Sequence, residues 1–120
     1  MKLLIVEDSL DVAERLCLLL RDTPGLEVDR AGSLREGIGH LHEFLPDTLV
    51  LDLRLPDGNG MELMRLAKRE YPALQIMMLT NHTHFRDYCL SEGADYFFDK
   101  AMDYEDLVAT ITRLAPSAVA

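Results

Sequence analysis

No apolar stretch in this chain approaches the roughly 20 residues needed to cross a bilayer, so no membrane span is expected. Cysteine is scarce: Cys17 and Cys89 lie far apart, with no CxxC pair and no histidine at metal-ligand spacing. Both sit in apolar contexts and read as structural, free thiols. Positive charge is scarce as well. Twelve Lys and Arg against 21 Asp and Glu give a formal charge of −9, the wrong sign for a polyphosphate backbone. The densest basic group, Arg65, Lys68 and Arg69, is interleaved with Glu62 and Glu70 and reads as a solvated helix face, so no direct nucleic-acid binding by this chain is expected. Met1, Lys2 and four apolar residues run straight into Glu7 and Asp8, short of the roughly 7 to 15 apolar residues of a secretory signal, and a cytoplasmic location is expected. Repeats, low-complexity tracts and linkers are absent from the sequence. At 120 residues, 48% hydrophobic and 28% charged, it has the composition of one soluble domain over 1–120. Residues 115–120 form a short tail with no pattern of an output domain.

What is present is an alternation of short apolar runs with segments of helical period, which predicts an α/β fold: a doubly wound parallel sheet of five strands with five helices on its two faces. The strands are expected at Leu3-Leu4-Ile5-Val6, residues 26–30, residues 48–51, Gln75-Ile76-Met77-Met78-Leu79 and residues 95–98. Ser9 is placed to cap a first helix, running to about Asp22, whose Ala13, Leu16, Cys17 and Leu20 share a face. Ser33, with Glu36 three residues on, predicts a capping box for a second helix that ends before Pro46. Residues 53–60 hold Pro56, Gly58 and Gly60, too many breakers for regular structure, so a third helix is expected only from about Gly60, ending by Pro72. The helical signal over residues 82–92 is weak, with Gly93 as its C-terminal cap, and Asp103 is placed to cap a last helix.

Four of the apolar runs stop at residues that phosphoryl chemistry uses: Glu7 and Asp8, Asp52, Thr80, and Lys100. In open parallel α/β sheets the C-terminal strand ends line the ligand crevice, so the five should meet at one rim. If the strand order is the common 2-1-3-4-5, Glu7, Asp8 and Asp52 converge. Carboxylates about 4 Å apart repel by roughly 4 kcal/mol at an effective dielectric near 20, and three in one crevice call for a cation; all-oxygen ligation points to Mg²⁺. Beside a metal, Asp52 is a competent nucleophile toward a phosphoryl group, with the Lys100 ammonium and the Thr80 hydroxyl available to phosphoryl oxygens. Taken singly, each residue also has a plain reading: a solvated turn, a turn cap, a strand-end Thr, a solvated Lys.

Three stretches in order carry a family likeness. Leu3-Leu4-Ile5-Val6-Glu7-Asp8, Asp52-Leu53-Arg54-Leu55-Pro56-Asp57-Gly58-Asn59-Gly60 and Gly93-Ala94-Asp95-Tyr96-Phe97-Phe98-Asp99-Lys100, with Thr80 between the last two, resemble the receiver domain of two-component response regulators, of the stand-alone type. The resemblance covers essentially the whole chain and implies a flavodoxin-like fold. It also implies that Asp52 accepts a phosphoryl group from a phosphohistidine on a sensor histidine kinase or histidine phosphotransfer protein. Glu7, Asp8, Asp52 and the backbone carbonyl of Arg54 would hold Mg²⁺. Thr80 and Phe97 would act as the switch that alters the face made by the fourth helix, fifth strand and fifth helix, where a downstream protein target docks. Phosphate would then leave by hydrolysis or onward transfer, with no outside substrate turned over. A monomer or weak homodimer is expected.

The chain departs from the family at Ala101, where Pro is usual after the lysine, and the Lys100–Ala101 bond is expected to be trans. Asn81 stands where a small residue is favoured and either crowds the phosphoryl pocket or adds a hydrogen bond. Arg54 and His82 occupy positions that modulate phosphate lifetime in the family. A Mg²⁺ phosphatase with an Asp-x-Asp pair is disfavoured because Arg54 stands at the second Asp. A flavin-binding relative is disfavoured because Glu7 and Asp8 would repel the phosphate. The remaining alternative is a phosphorylation-independent interaction module on the same fold.

Overall fold

A computed structural model describes residues 1–115; residues 116–120, most of the expected tail, lie outside the described residues. The strands of the main sheet are β1 (Lys2–Val6), β2 (Glu27–Ala31), β3 (Thr48–Leu51), β4 (Gln75–Thr80) and β5 (Tyr96–Asp99). They alternate with helices α1 (Leu10–Leu20), α2 (Leu34–Phe44), α3 (Gly60–Glu70), α4 (Arg86–Ser91) and α5 (Tyr104–Leu114). All neighbouring strands pair in parallel, in the order β2-β1-β3-β4-β5. This is the doubly wound flavodoxin-like architecture, and its winding reverses between β1 and β3.

The apolar runs are continuous because both faces of the sheet are covered. Leu3, Leu4, Ile5 and Val6 are all fully buried. Leu3, Ile5, Val50, Met77, Leu79 and Phe98 face α1 and α5, which contribute Leu16, Leu20, Leu107 and Ile111. Leu4, Val6, Leu51, Ile76, Met78 and Phe97 face the other side, against Leu34 and Leu41 of α2, Leu63, Met64 and Ala67 of α3 and Cys89 of α4. Each such side chain contributes roughly 1.5–3 kcal/mol relative to exposure. Of the two thiols read as structural, Cys89 is buried and Cys17 is half-buried on α1.

Pairing register sets the shape of the rim. Val6 pairs with Leu51, Leu51 with Met78, and Met78 with Phe97, so these four form one row across β1, β3, β4 and β5. Glu7 and Asp52 lie one residue beyond that row, while β4 and β5 run two residues further, to the Thr80–Asp99 pair.

Three local expectations need correction, and the weak helix over residues 82–92 is borne out. Residues 53–60 are not irregular: Arg54–Leu55 and Gly58–Asn59 form a two-stranded antiparallel ribbon around Pro56-Asp57. Breakers disfavour helix, but they also make the tight reversal that lets a ribbon close. The weak fourth helical signal becomes a 3-10 turn, Thr83–Phe85, followed by only six residues of α4. Gly93 beyond it takes φ of +123°, a region open to glycine. In the capping box, Ser33 Oγ accepts from the Glu36 N–H at 3.1 Å, but Glu36 reaches one residue further back, to the Gly32 N–H at 2.7 Å. Asp103 precedes α5 without capping it by a side-chain bond, and its carboxylate accepts instead from the Asp99 N–H at 2.8 Å.

Candidate functional site at the C-terminal rim of the sheet

Lys100 organises the rim. Its Nζ donates to Glu7 Oε1 at 2.5 Å and to Asp52 Oδ2 at 2.7 Å. Both acids are buried, Glu7 4% and Asp52 6% exposed, whereas Asp8 is exposed. Carboxylate oxygens of Glu7, Asp8 and Asp52 lie within 4.8 Å of one another. Glu7 Oε2 is buried and has no hydrogen-bond partner among the described residues. Burial pushes the Glu7 carboxyl up from 4.5 to about 7, with the neighbouring Asp52 adding to the shift and the bond from Lys100 opposing it. Burial pulls the Lys100 ammonium down, but hydrogen bonds and charge from Asp52 and Glu7 outweigh it and leave the group raised. The rim is thus short of positive charge: one ammonium serves two buried carboxylates, a third is within reach, and one buried oxygen is left over. An all-oxygen set with an orphaned acceptor fits a hard divalent cation.

The backbone around these side chains is tightly specified. A Cβ on Gly60 would stand 2.1 Å from the Asp52 carbonyl oxygen, so only glycine lets α3 start against that residue. Asn59 caps α3 through its Oδ1, which accepts from the Met61 N–H at 2.9 Å. The Lys100 loop is held by Lys100 N–H donating to the Thr80 carbonyl at 3.0 Å and Ala101 N–H donating to Asp99 Oδ1 at 2.8 Å. Proline has no N–H and could not make the second bond. Every described peptide bond is trans, including Lys100–Ala101.

Thr80 is fully buried, and its hydroxyl oxygen accepts from the His82 N–H at 3.2 Å. Phe97 is buried in the core beside α4. Arg54 is exposed, and its N–H lies 3.4 Å from Asp52 Oδ1. Asn81 is exposed rather than packed into the rim, and His82 is half-buried with its ring 6.1 Å from that of His84.

Tyr104 and Asp57, given no role by the sequence, and Asp103, read there only as a helix cap, also shape the rim. Tyr104 at the start of α5 is buried under the Arg15 guanidinium, 4.3 Å from its ring centroid. Burial raises its phenol, while Lys100 and Arg15 pull it the other way. Asp57, in the ribbon turn, accepts from the Leu34 and Arg35 N–H groups at 2.7 and 3.0 Å and so caps α2 from another loop. Asp103 braces Asp99 as described. A buried aromatic at a helix start was the sequence signal available for Tyr104; the two aspartates offered none beyond their turn context.

A parallel sheet wound in this order, with acids after β1 and β3 and a lysine after β5, defines a class, and similarity to known proteins makes it specific. The response regulator receiver domain family matches residues 3–112, and the chain belongs to that family. Receiver domains are signalling modules of response regulators. The virulence transcriptional regulatory protein PhoP of Salmonella typhimurium is 34% identical over 116 residues, which cover 95% of this chain and 51% of that protein. The chain therefore spans about half the length of the curated relatives it matches. Among solved structures, a putative response regulator from Chloroflexus aurantiacus is 32% identical, with a TM-score of 0.82 over 95% of this chain and 96% of that one. The CheY-like receiver domain protein of Methanospirillum hungatei is 26% identical, with a TM-score of 0.84 over 95% and 92%. Among the described residues no helix is long and apolar enough to cross a membrane.

Proposed function

We propose that this chain is a phosphoacceptor domain of a two-component phosphorelay, modified at Asp52 by a phosphohistidine on a sensor histidine kinase or a histidine phosphotransfer protein. The observation that carries the reading is the Lys100 ammonium shared between Glu7 and Asp52 at 2.5 and 2.7 Å, with Asp8 beside them. An Asp52 carboxylate oxygen forms the new P–O bond as the donor's P–N bond breaks. The electron pair returns to the imidazole, which leaves as neutral histidine after taking a proton. Lys100 moves with the charge from the carboxylate to the phosphoryl oxygens, and the Thr80 hydroxyl supplies a further hydrogen bond. Glu7, Asp8, Asp52 and the Arg54 carbonyl would hold Mg²⁺, which supplies charge neutralisation for the transfer.

The output is a population shift. A phosphoryl group favours whichever arrangement of Thr80, Phe97 and the α4-β5-α5 face contacts it better, and a protein target reads that face. Arg54 shields the aspartyl-phosphate from water; Arg54→Asn is expected to shorten its lifetime, and an unchanged lifetime would remove that role. The chain acts on itself, turns over no outside substrate, works in the cytoplasm and is monomeric or weakly dimeric. Incubation with Mg²⁺ and a small acyl-phosphate donor tests the reading: a phosphate-sized mass gain is expected, lost in Asp52→Asn and with chelator. No gain from folded, Mg²⁺-binding protein would favour an interaction module that works without phosphorylation.

A further inference from the structure

Beside the rim, between the 54–59 ribbon and the α4 segment, lies a cavity of about 300 Å³, the lower end of small-molecule pocket sizes. Its walls are apolar and aromatic: Leu53 and Leu55 from the ribbon side, Met61 from α3, and the rings of Phe85 and Tyr88. The Tyr88 ring is fixed from outside, because its hydroxyl oxygen accepts from Arg65 Nη2 at 2.6 Å, and Arg65 is itself paired with Glu92 at 2.8 Å.

The side chains at this cavity include donors without a partner among the described residues. Arg54 is the single charged residue lining it, and its guanidinium has no hydrogen-bond or ion-pair partner among the described residues. Asn59 commits its carbonyl oxygen to the Met61 N–H, which leaves its NH₂ group to donate. The Tyr88 hydroxyl is engaged with Arg65 on the outer side, so Tyr88 offers the cavity its ring. A site with ring-faced walls, an unpartnered guanidinium and an unpartnered amide NH₂ suits a flat apolar body carrying an anion.

We propose that this cavity binds a small aromatic carboxylate, its ring between Met61, Phe85 and Tyr88 and its carboxylate on Arg54 and Asn59. The ligand bridges the ribbon that follows Asp52 and the turn that follows Thr80, so it is placed to bias the relative position of the two segments. No step of phosphoryl transfer enters this inference, and its test needs neither Mg²⁺ nor a phosphodonor, so it stands or falls apart from the function proposed above.

The test is a titration of the uniformly ¹⁵N-labelled protein with 2-naphthoate, followed by backbone amide shifts, with the neutral 2-naphthalenemethanol as a matched probe. Saturable shifts are expected at residues 53–61 and 85–88, weakened roughly tenfold or more by Arg54→Gln and by the neutral probe. Arg54 is exposed, so the variant should fold, and its unperturbed spectrum elsewhere checks this. Absence of saturation, shifts centred on another surface, equal affinity for the two probes as an apolar peptide side chain would show, or indifference to Arg54→Gln would each overturn the proposal.

Discussion

The acidic rim and the segment of residues 83–91 adjoin the same cavity region but are held by opposite means. Glu7 and Asp52 extend strands whose residues are buried on both faces, and their spacing follows from the pairing of Val6 with Leu51. The segment has one buried residue, Cys89, no side-chain cap at either helical start, and an exposed outer clasp of Arg65 with Tyr88 and Glu92. A charge cluster that must keep its geometry is anchored in the least deformable part of the fold. A segment with few buried contacts is where opening is cheapest and where a change at the rim can be expressed.

The contrast can be tested from its rigid side first. Gly60→Ala puts a methyl 2.1 Å from the Asp52 carbonyl oxygen, and a loss of about 3 kcal/mol or more is expected in urea unfolding, because backbone must move. A loss below about 0.5 kcal/mol, in the range of an ordinary surface substitution, would mean that the loop after β3 yields easily and that the rim is less rigid than its register implies.

Next in size is the buried charge. Glu7 has its carboxyl raised from 4.5 to about 7 in the metal-free protein. A raised acid contributes stability that is fully present below 4.5 and is lost as pH climbs through about 7. Metal-free stability is therefore expected to fall by roughly 2–4 kcal/mol from this group between pH 4.5 and 8. Glu7→Gln should remove most of that fall and be the more stable protein at pH 8 in chelator. A pH-independent wild type would show that the Lys100 ammonium fully offsets the burial.

The smallest effect is expected on the pliable side. Arg65→Ala removes the exposed bonds to Tyr88 in α4 and to Glu92 just beyond it, so amide exchange over residues 86–91 should quicken while the global unfolding midpoint stays put. A shift in the midpoint would make the α3–α4 clasp part of the cooperative core and erase the contrast.

These differences track what could be read along the chain. The strand runs, the helix starts at Ser9, Ser33 and Gly60, and the five polar residues at strand ends were legible because each is a local pattern of apolar spacing, breakers and caps. The cap on α2 from Asp57 was not, since donor and acceptor are 22 and 23 residues apart. Nor was the bracing of the Lys100 loop: Ala101 reads as a missing proline until its N–H is seen on Asp99. Tyr104 under Arg15 joins two helices at opposite ends of the chain, and no spacing rule links them.

Element order, the alternation that demands a two-faced parallel sheet, the excess of negative charge and the chemistry of Glu7, Asp8, Asp52, Thr80 and Lys100 are written in the residues, because each depends on neighbours a few positions away. Folding alone decided that one Lys100 ammonium is shared between Glu7, 93 residues away, and Asp52, 48 residues away, that one Glu7 oxygen is stranded without a partner among the described residues, and that Arg54 and Asn59 line a cavity walled by Phe85 and Tyr88. Burial and hydrogen-bond satisfaction are properties of the packed whole, and the free energies they set arise only when segments remote in sequence exclude water together.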